Sequence, residues 1–282
     1  MRKLLFVSLF CFSCVLSFSQ VHIGLFGGIG NYQGDLINSA YVAKLTRVAV
    51  GVTGEYELSN KLSLRAGFTF AQVAGDDQYN SKDDLKLRNL SFESNITEFS
   101  LLAQYYTFGF ENRRWSPYVF GGIAVYHFNP YILTVDDEKI FLKPLSTEGQ
   151  GFYQGRQKYS LTSFAIPFGG GLKFSLSENI RVRAEIGIRK TMTDYLDDVS
   201  ATYADEQQLL LYNGEQAVDL AFRGDETKGG LTYPVANSER GSPKHDDWYY
   251  FAGLGISFRL SPKFSTAGGS GKNKTGCPVN IY

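Results

Sequence analysis

Cysteine, histidine and tryptophan are scarce in this chain: three, three and two among 282 residues. Cys11 and Cys14 fall in the apolar stretch at the N-terminus, which leaves Cys277 alone in the remainder. One cysteine closes no internal disulfide, so stability has to come from other sources. Net charge is absent as well, with 28 Lys and Arg balancing 28 Asp and Glu. Setting aside Arg2 and Lys3 leaves two more acids than bases, which argues against binding nucleic acid by phosphate neutralisation. Beyond residue 20 the chain also lacks any apolar run near the roughly 20 residues that a membrane-spanning helix needs.

Arg2 and Lys3 precede an apolar stretch from Leu4 to Phe18, and Ser17 and Ser19 flank Phe18 in a small-x-small pattern. This predicts a signal peptide over 1–20, cut just before or after Gln20. The run is too short for an anchor helix. Cys11 and Phe12 fit poorly in the lipobox that a lipidated Cys14 would need.

What the chain has in abundance is Phe (22), Tyr (18) and Gly (30). Eight segments alternate with period two, at 21–31, 46–58, 61–72, 96–109, 117–128, 162–176, 180–190 and 248–260. Each is near or above the roughly 9–11 residues with which a tilted strand crosses the hydrocarbon core. Their connections alternate short and long. Ser59-Asn60-Lys61, the turn holding Glu111-Asn112-Arg113-Arg114, and Ser177-Glu178-Asn179 are tight, whereas 32–45, 73–95, 129–161 and 191–247 are long. That alternation predicts an all-β fold, an eight-stranded antiparallel transmembrane β-barrel of the cell outer membrane, with short turns in the periplasm and long loops outside. The expected organisation is a signal peptide at 1–20, the barrel at 21–260 and a flexible, Gly/Ser/Lys-rich periplasmic tail at 261–282.

Within each segment one face is apolar and the other is not. Ile180, Val182, Ala184, Ile186 and Ile188 oppose Arg181, Arg183, Glu185, Gly187 and Arg189; membrane lipid is expected to face the first set. The polar faces together offer Arg65, Lys173, Arg181, Arg183, Arg189 and Arg259 against Glu55, Glu57, Glu98 and Glu185. Eight strands enclose a lumen just wide enough for side chains, so these charges are expected to pair and plug it. Gly51, Gly67, Gly121, Gly169, Gly171, Gly253 and Gly255 are assigned to the same inner face, leaving room for the arginines. Tyr56, Tyr105, Trp115, Tyr118, Tyr126, Trp248, Tyr249 and Tyr250 near segment ends suit interfacial aromatic belts, or ordinary core positions.

The fourth long connection is acidic. Asp194, Asp197 and Asp198, with Asp205 and Glu206, supply hard-cation ligand types, but their spacing matches no calcium loop. They are read instead as capping the start of the loop, with Asp194 or Asp197 accepting backbone N–H groups, and the acidic rim as solvated. At Asn31-Tyr32-Gln33-Gly34-Asp35-Leu36, Gly34 is expected at a positive φ with Asp35 capping the turn. Ser242, His245 and Asp246 allow a nucleophile–base sketch, with His22 and His127 elsewhere; residues so close in sequence often adjoin by chance. No Gly-rich segment ends as a phosphate loop. No catalytic, cofactor or metal residue is assigned.

Four stretches carry a resemblance: Gly28-Ile29-Gly30-Asn31-Tyr32-Gln33-Gly34-Asp35-Leu36; Lys190 to Ser200 with Ala201-Thr202-Tyr203; Arg240-Gly241-Ser242; and Asp247-Trp248-Tyr249-Tyr250-Phe251. With these the chain resembles the PorG-like family of Bacteroidota outer-membrane proteins over most of its length. The resemblance implies a non-enzymatic barrel subunit of the type IX secretion and gliding machinery, which tethers a periplasmic ring lipoprotein and its partner. The family also has members outside that machinery, so a stand-alone surface barrel with a structural or adhesive role is the other reading. In the first reading the periplasmic turns and the tail dock the partner; in the second the outer loops make the contacts.

Overall fold

The computed structural model describes residues 21–260 apart from 40, 112, 135, 154, 228, 229 and 245. The expected signal peptide, the tail with Cys277, and His245 of the Ser242/His245/Asp246 set lie outside the described residues.

Among the described residues ten strands form, in chain order β1 (Val21–Gln33), β2 (Arg47–Ser59), β3 (Leu62–Asp76), β4 (Ser91–Tyr106), β5 (Trp115–His127), β6 (Pro130–Leu133), β7 (Lys139–Phe141), β8 (Thr162–Ser175), β9 (Ile180–Thr191) and β10 (Trp248–Arg259). Eight of them close a barrel: β1 pairs with β10 and β2, β3 joins β2 to β4, and β5, β8 and β9 complete the circuit, all antiparallel. Closure leaves no unpaired edge along the spanning part, which is what permits a sheet in lipid at all. These are the eight alternating segments, with ends shifted by a few residues.

The departures lie at the outer end. β3 and β4 run on beyond their expected limits and pair from Gln72↔Asn95 to Asp76↔Ser91. The short hairpin β6–β7 then extends the sheet outside the barrel circuit, with β6 beside β4. On this extension Gln72 donates to Glu93 (3.0 Å) and to the Tyr131 hydroxyl of β6 (2.7 Å). Polar groups thus occupy the face that would meet lipid lower down, so no hydropathy alternation marks the extension. Two helices, α1 (Glu206–Asn213) and α2 (Glu215–Ala221), form in the fourth outer loop. Asp205 caps α1 by accepting the Gln208 N–H at 3.0 Å. None of the described helices is long and apolar enough to cross a membrane.

Outside the barrel, apolar side chains such as Leu25, Val52, Phe68, Ile123, Ile186 and Leu254 stand between 50 and 69% exposed. A belt of this extent facing water would be a severe liability; facing acyl chains it is the stable arrangement. The chain is an outer-membrane β-barrel. Tyr105 and Trp115 are exposed on the outside, as belts require. Tyr118, Tyr126 and Tyr249 are not belt residues: they are fully buried inside. Gly121 is corrected too, because inward positions on β5 are Tyr118, Phe120, Ala124 and Tyr126, which puts Gly122 on the inner face.

Candidate functional site

The lumen is closed by paired charges stacked along its axis. Lys173 meets both oxygens of Glu55 at 2.7 Å, beside the Tyr106 hydroxyl, which also donates to Glu55 at 2.7 Å. Arg65 reaches Glu185 at 2.6 Å, with Arg183 on the same carboxylate at 3.4 Å. Arg189 pairs with Glu98 at 3.1 Å, and the Tyr249 hydroxyl donates to Glu98 at 2.8 Å. The glycines make this possible: a Cβ on Gly255 would lie 2.6 Å from Cζ of Arg183. The expected pairing and plugging are observed.

The periplasmic end is different. The turns at 60–61, 107–114 and 176–179 rim a cavity of about 810 Å³, lined by Glu57, Phe110, Glu111, Arg113, Arg114, Glu178, Arg181 and Arg259 among others. Glu57 forms its floor and faces two guanidinium groups, Arg181 and Arg259 at 3.8 Å, with the His22 ring 3.6 Å away. Arg113 lies over the Phe108 ring at 4.4 Å and Arg181 over Phe110 at 4.6 Å. Aromatic faces therefore hold the guanidinium groups at the opening.

At the opposite end the outer loops fold into a cap with its own core. Leu36, Ile37, Leu196, Val199 and Phe128 are at most 1% exposed. The motif stretches converge here. Arg88 holds Asp77 through two bonds, at 2.8 and 2.6 Å, and also donates to the Arg240 carbonyl. Arg240 donates to Glu148 (3.1 Å) and to the Asp198 carbonyl (2.7 Å), while Glu148 accepts the Ser200 and Ala201 N–H groups. Asp198 accepts from Tyr159 at 2.6 Å, and that ring stacks on Tyr195 with centroids 4.6 Å apart.

Asp194, Asp197, Asp198 and Asp247 are all buried, so they do not form a solvated rim. The capping reading holds for Asp197, which accepts the Val199 N–H at 2.9 Å. Asp247 does the same for Leu196 at 2.9 Å. Burial, with Asp197 and Asp35 nearby, pushes the Asp194 carboxyl up to about 9. Burial outweighs Arg240 at Asp198 and raises it to about 6. Gly34 also departs from expectation. It is not among the glycines at positive φ; its missing side chain instead lets the Tyr32 hydroxyl and the Asp247 carboxyl press against the backbone. Asp35 serves a distant segment and not its own turn: its carboxylate accepts the Ser242 N–H at 2.9 Å.

Among the described residues no histidine joins Ser242 and Asp246 in a nucleophile, base and orienter set. His22 is buried at the periplasmic end, while His127, 3.1 Å from the Thr162 hydroxyl, is exposed at the outer end. Among the described residues no group of three or more His, Cys, Asp or Glu is arranged to hold a metal. Sequence reasoning missed Arg88 and Glu148, whose partners lie far away in the chain. Arg240 stood in a recognised motif, but nothing there showed its role.

Comparison with curated proteins finds no match. Solved structures similar to the chain include Neisserial surface protein A, at 7% identity and TM-score 0.42, covering 85% of this chain and 97% of that one. The attachment invasion locus protein Ail of Yersinia pestis matches at 9% identity and TM-score 0.41, over 86% of this chain and 98% of that one. The outer membrane enzyme PagL matches at 12% identity and TM-score 0.32, over 84% and 99%. At the level of sequence, a family profile described as a domain of unknown function covers residues 2–224, and the chain therefore belongs to the DUF6089 family.

Proposed function

We propose that this protein is a non-enzymatic outer-membrane anchor whose working surface is its periplasmic mouth. The observation that carries the reading is the contrast between the two ends. The outer loops are locked to one another by buried ion pairs such as Arg88–Asp77 and Arg240–Glu148, while the periplasmic turns surround an open, charged cavity of about 810 Å³. The lumen between them is filled by ion pairs, so passage of solutes is not its role. The resemblance to PorG-like proteins supports a finer assignment: the docked component is the periplasmic ring lipoprotein, with its partner, of the type IX secretion and gliding machinery.

The test is photocrosslinking from residues placed at Asn60 and Glu178, and from Leu211 on the outer cap, in intact envelopes. The anchor reading expects one defined periplasmic lipoprotein from the two turn positions and not from Leu211. Recovery of only porins and lipoproteins unrelated to secretion would overturn it. A second reading, a stand-alone surface barrel with an adhesive role, is favoured by Leu211, Tyr212 and Val235, which stand 79, 64 and 81% exposed on the cap. It expects crosslinks from Leu211 alone.

A further inference from the structure

The periplasmic half of the lumen is not electrically balanced. Lys173 and Glu55 compensate each other, but Glu57 and Glu185 are left facing Arg65, Arg181, Arg183 and Arg259. Two carboxylates therefore serve four guanidinium groups. Hydrogen bonding shows the same shortfall. Nε of Arg181, Nη2 of Arg183 and Nε of Arg259 are buried with no hydrogen-bond acceptor among the described residues, and Nε of Arg183 has only the ion-pair contact with Glu185 at 3.4 Å. An arginine offers five N–H donors in a fixed fork and cannot shed its charge, so surplus guanidinium in a confined space favours an incoming anion. Arg181 and Arg259 line the cavity, whose rim carries Arg113 and Arg114 beside Glu111 and Glu178, so four arginines there face three glutamates counting Glu57.

We infer that the mouth recognises carboxylates, and that its occupant is an acidic peptide segment of the periplasmic partner; this rests on the anchor reading above. Arg113 and Arg114 meet the segment first, and Arg259 and Arg181 take a carboxylate into the floor beside Glu57. Phe110 and Leu176 on the wall suit the apolar parts of a peptide better than a free anion. The chain itself is a poor source of the segment, because residues 261–282 contain Lys263, Lys272 and Lys274 and neither Asp nor Glu.

The experiment uses the full chain in lipid nanodiscs and a fluorescent Glu-rich peptide, with a Lys-rich peptide and inorganic phosphate as comparators. Binding of the Glu-rich peptide alone, weakened about tenfold or more by the double variant Arg113→Glu/Arg114→Glu and by added salt, is expected. Both substitutions lie in an exposed turn, so the barrel itself is left intact. Equal binding of the two peptides, displacement of the peptide by equimolar phosphate, or indifference to the double variant would each overturn the inference. The anchor reading is judged separately by the crosslinks: a defined partner captured without Glu-rich peptide binding leaves the anchor standing and removes the acidic segment.

Discussion

The Tyr32 hydroxyl stands between two buried carboxyl groups, and counting its hydrogens leads to an asymmetric prediction. It lies within bonding reach of Asp197 and, at 3.2 Å, of Asp247. A phenol has one hydrogen to give. Asp197 also accepts the Val199 N–H, so two donors point at it, as an ionised carboxylate requires. Asp247 accepts the Leu196 N–H on one oxygen, and its other oxygen bonds Tyr32 only by carrying a proton of its own. Burial raises both Asp247 and Asp197 well above the usual carboxylate range, so the donor count at each oxygen, and not the shift, decides which of them keeps the proton. Asp247→Asn reproduces this pattern, with its oxygen facing Leu196 and its amide donating to the phenol. It is expected to cost under about 1 kcal/mol, less than one ordinary hydrogen bond. Asp197→Asn loses a charged acceptor, about 1.5–3 kcal/mol, and turns an amide against a donor, about 1–3 kcal/mol more. Taking about 3 kcal/mol as the lower range, local opening of the cap becomes roughly a hundredfold more frequent. Hydrogen exchange at the Leu196 and Val199 amides reads this without unfolding the barrel. Equal exchange in the two variants, or faster exchange in Asp247→Asn, would refute the proton assignment.

Other consequences can be measured independently. Lys173→Met strands Glu55 inside the lumen and is expected to destabilise the barrel by about 3–5 kcal/mol in urea titrations, with much of the loss recovered by adding Glu55→Gln. Leu254→Arg places a charge at the middle of the lipid-facing side of β10 and should cost about 2–4 kcal/mol in a bilayer, but little where detergent can adapt. The cap should also loosen as pH rises. Asp198 and Asp194 are raised from the ordinary 3.8 to about 6 and about 9, so the folded cap holds protons that an unfolded loop would release. That contribution is complete below about pH 4 and is lost as pH climbs through about 6 and then about 9. Protease nicking of the fourth loop should therefore be slower at pH 5 than at pH 9, and the upper part of the difference should vanish in Asp194→Asn.

The barrel was legible because lipid imposes a rule along every spanning strand. Ile180 to Ile188 and Leu62 to Phe70 alternate cleanly, since one face meets acyl chains and the other meets paired charges. Where the rule lapses, so does legibility. The tops of β3 and β4 rise beyond the hydrocarbon and lean on β6 through Gln72, Glu93 and Tyr131, with no apolar face to betray them. Tyr118, Tyr126 and Tyr249 sit near strand ends as belt residues do, and only their parity along the strand tells inside from outside. The acids of the fourth loop were hardest to place. Isolated in sequence, Asp197 and Asp198 look solvated; their burial depends on Tyr32, Tyr159 and Arg240, brought from distant segments. The periplasmic mouth was half visible, as a basic turn at Arg113-Arg114, but its floor of Glu57, Arg181 and Arg259 required the barrel to close.

Closure also sets an order of events. β1 and β10 pair along twelve positions from His22↔Arg259 to Gln33↔Trp248, so the first and last strands are each other's neighbours. No cylinder exists until nearly the whole chain is available, and contacts this remote in sequence form slowly. Meanwhile the two free strands expose sheet edges that other chains can capture. Tyr32 at the top of β1 and Asp247 just before β10 sit on either side of the seam, and Asp35 and Ser242 bridge it a little farther out. The cap thus ties shut the seam where the two ends of the barrel chain meet, and bonds placed on a seam act on how fast it opens as well as on equilibrium stability.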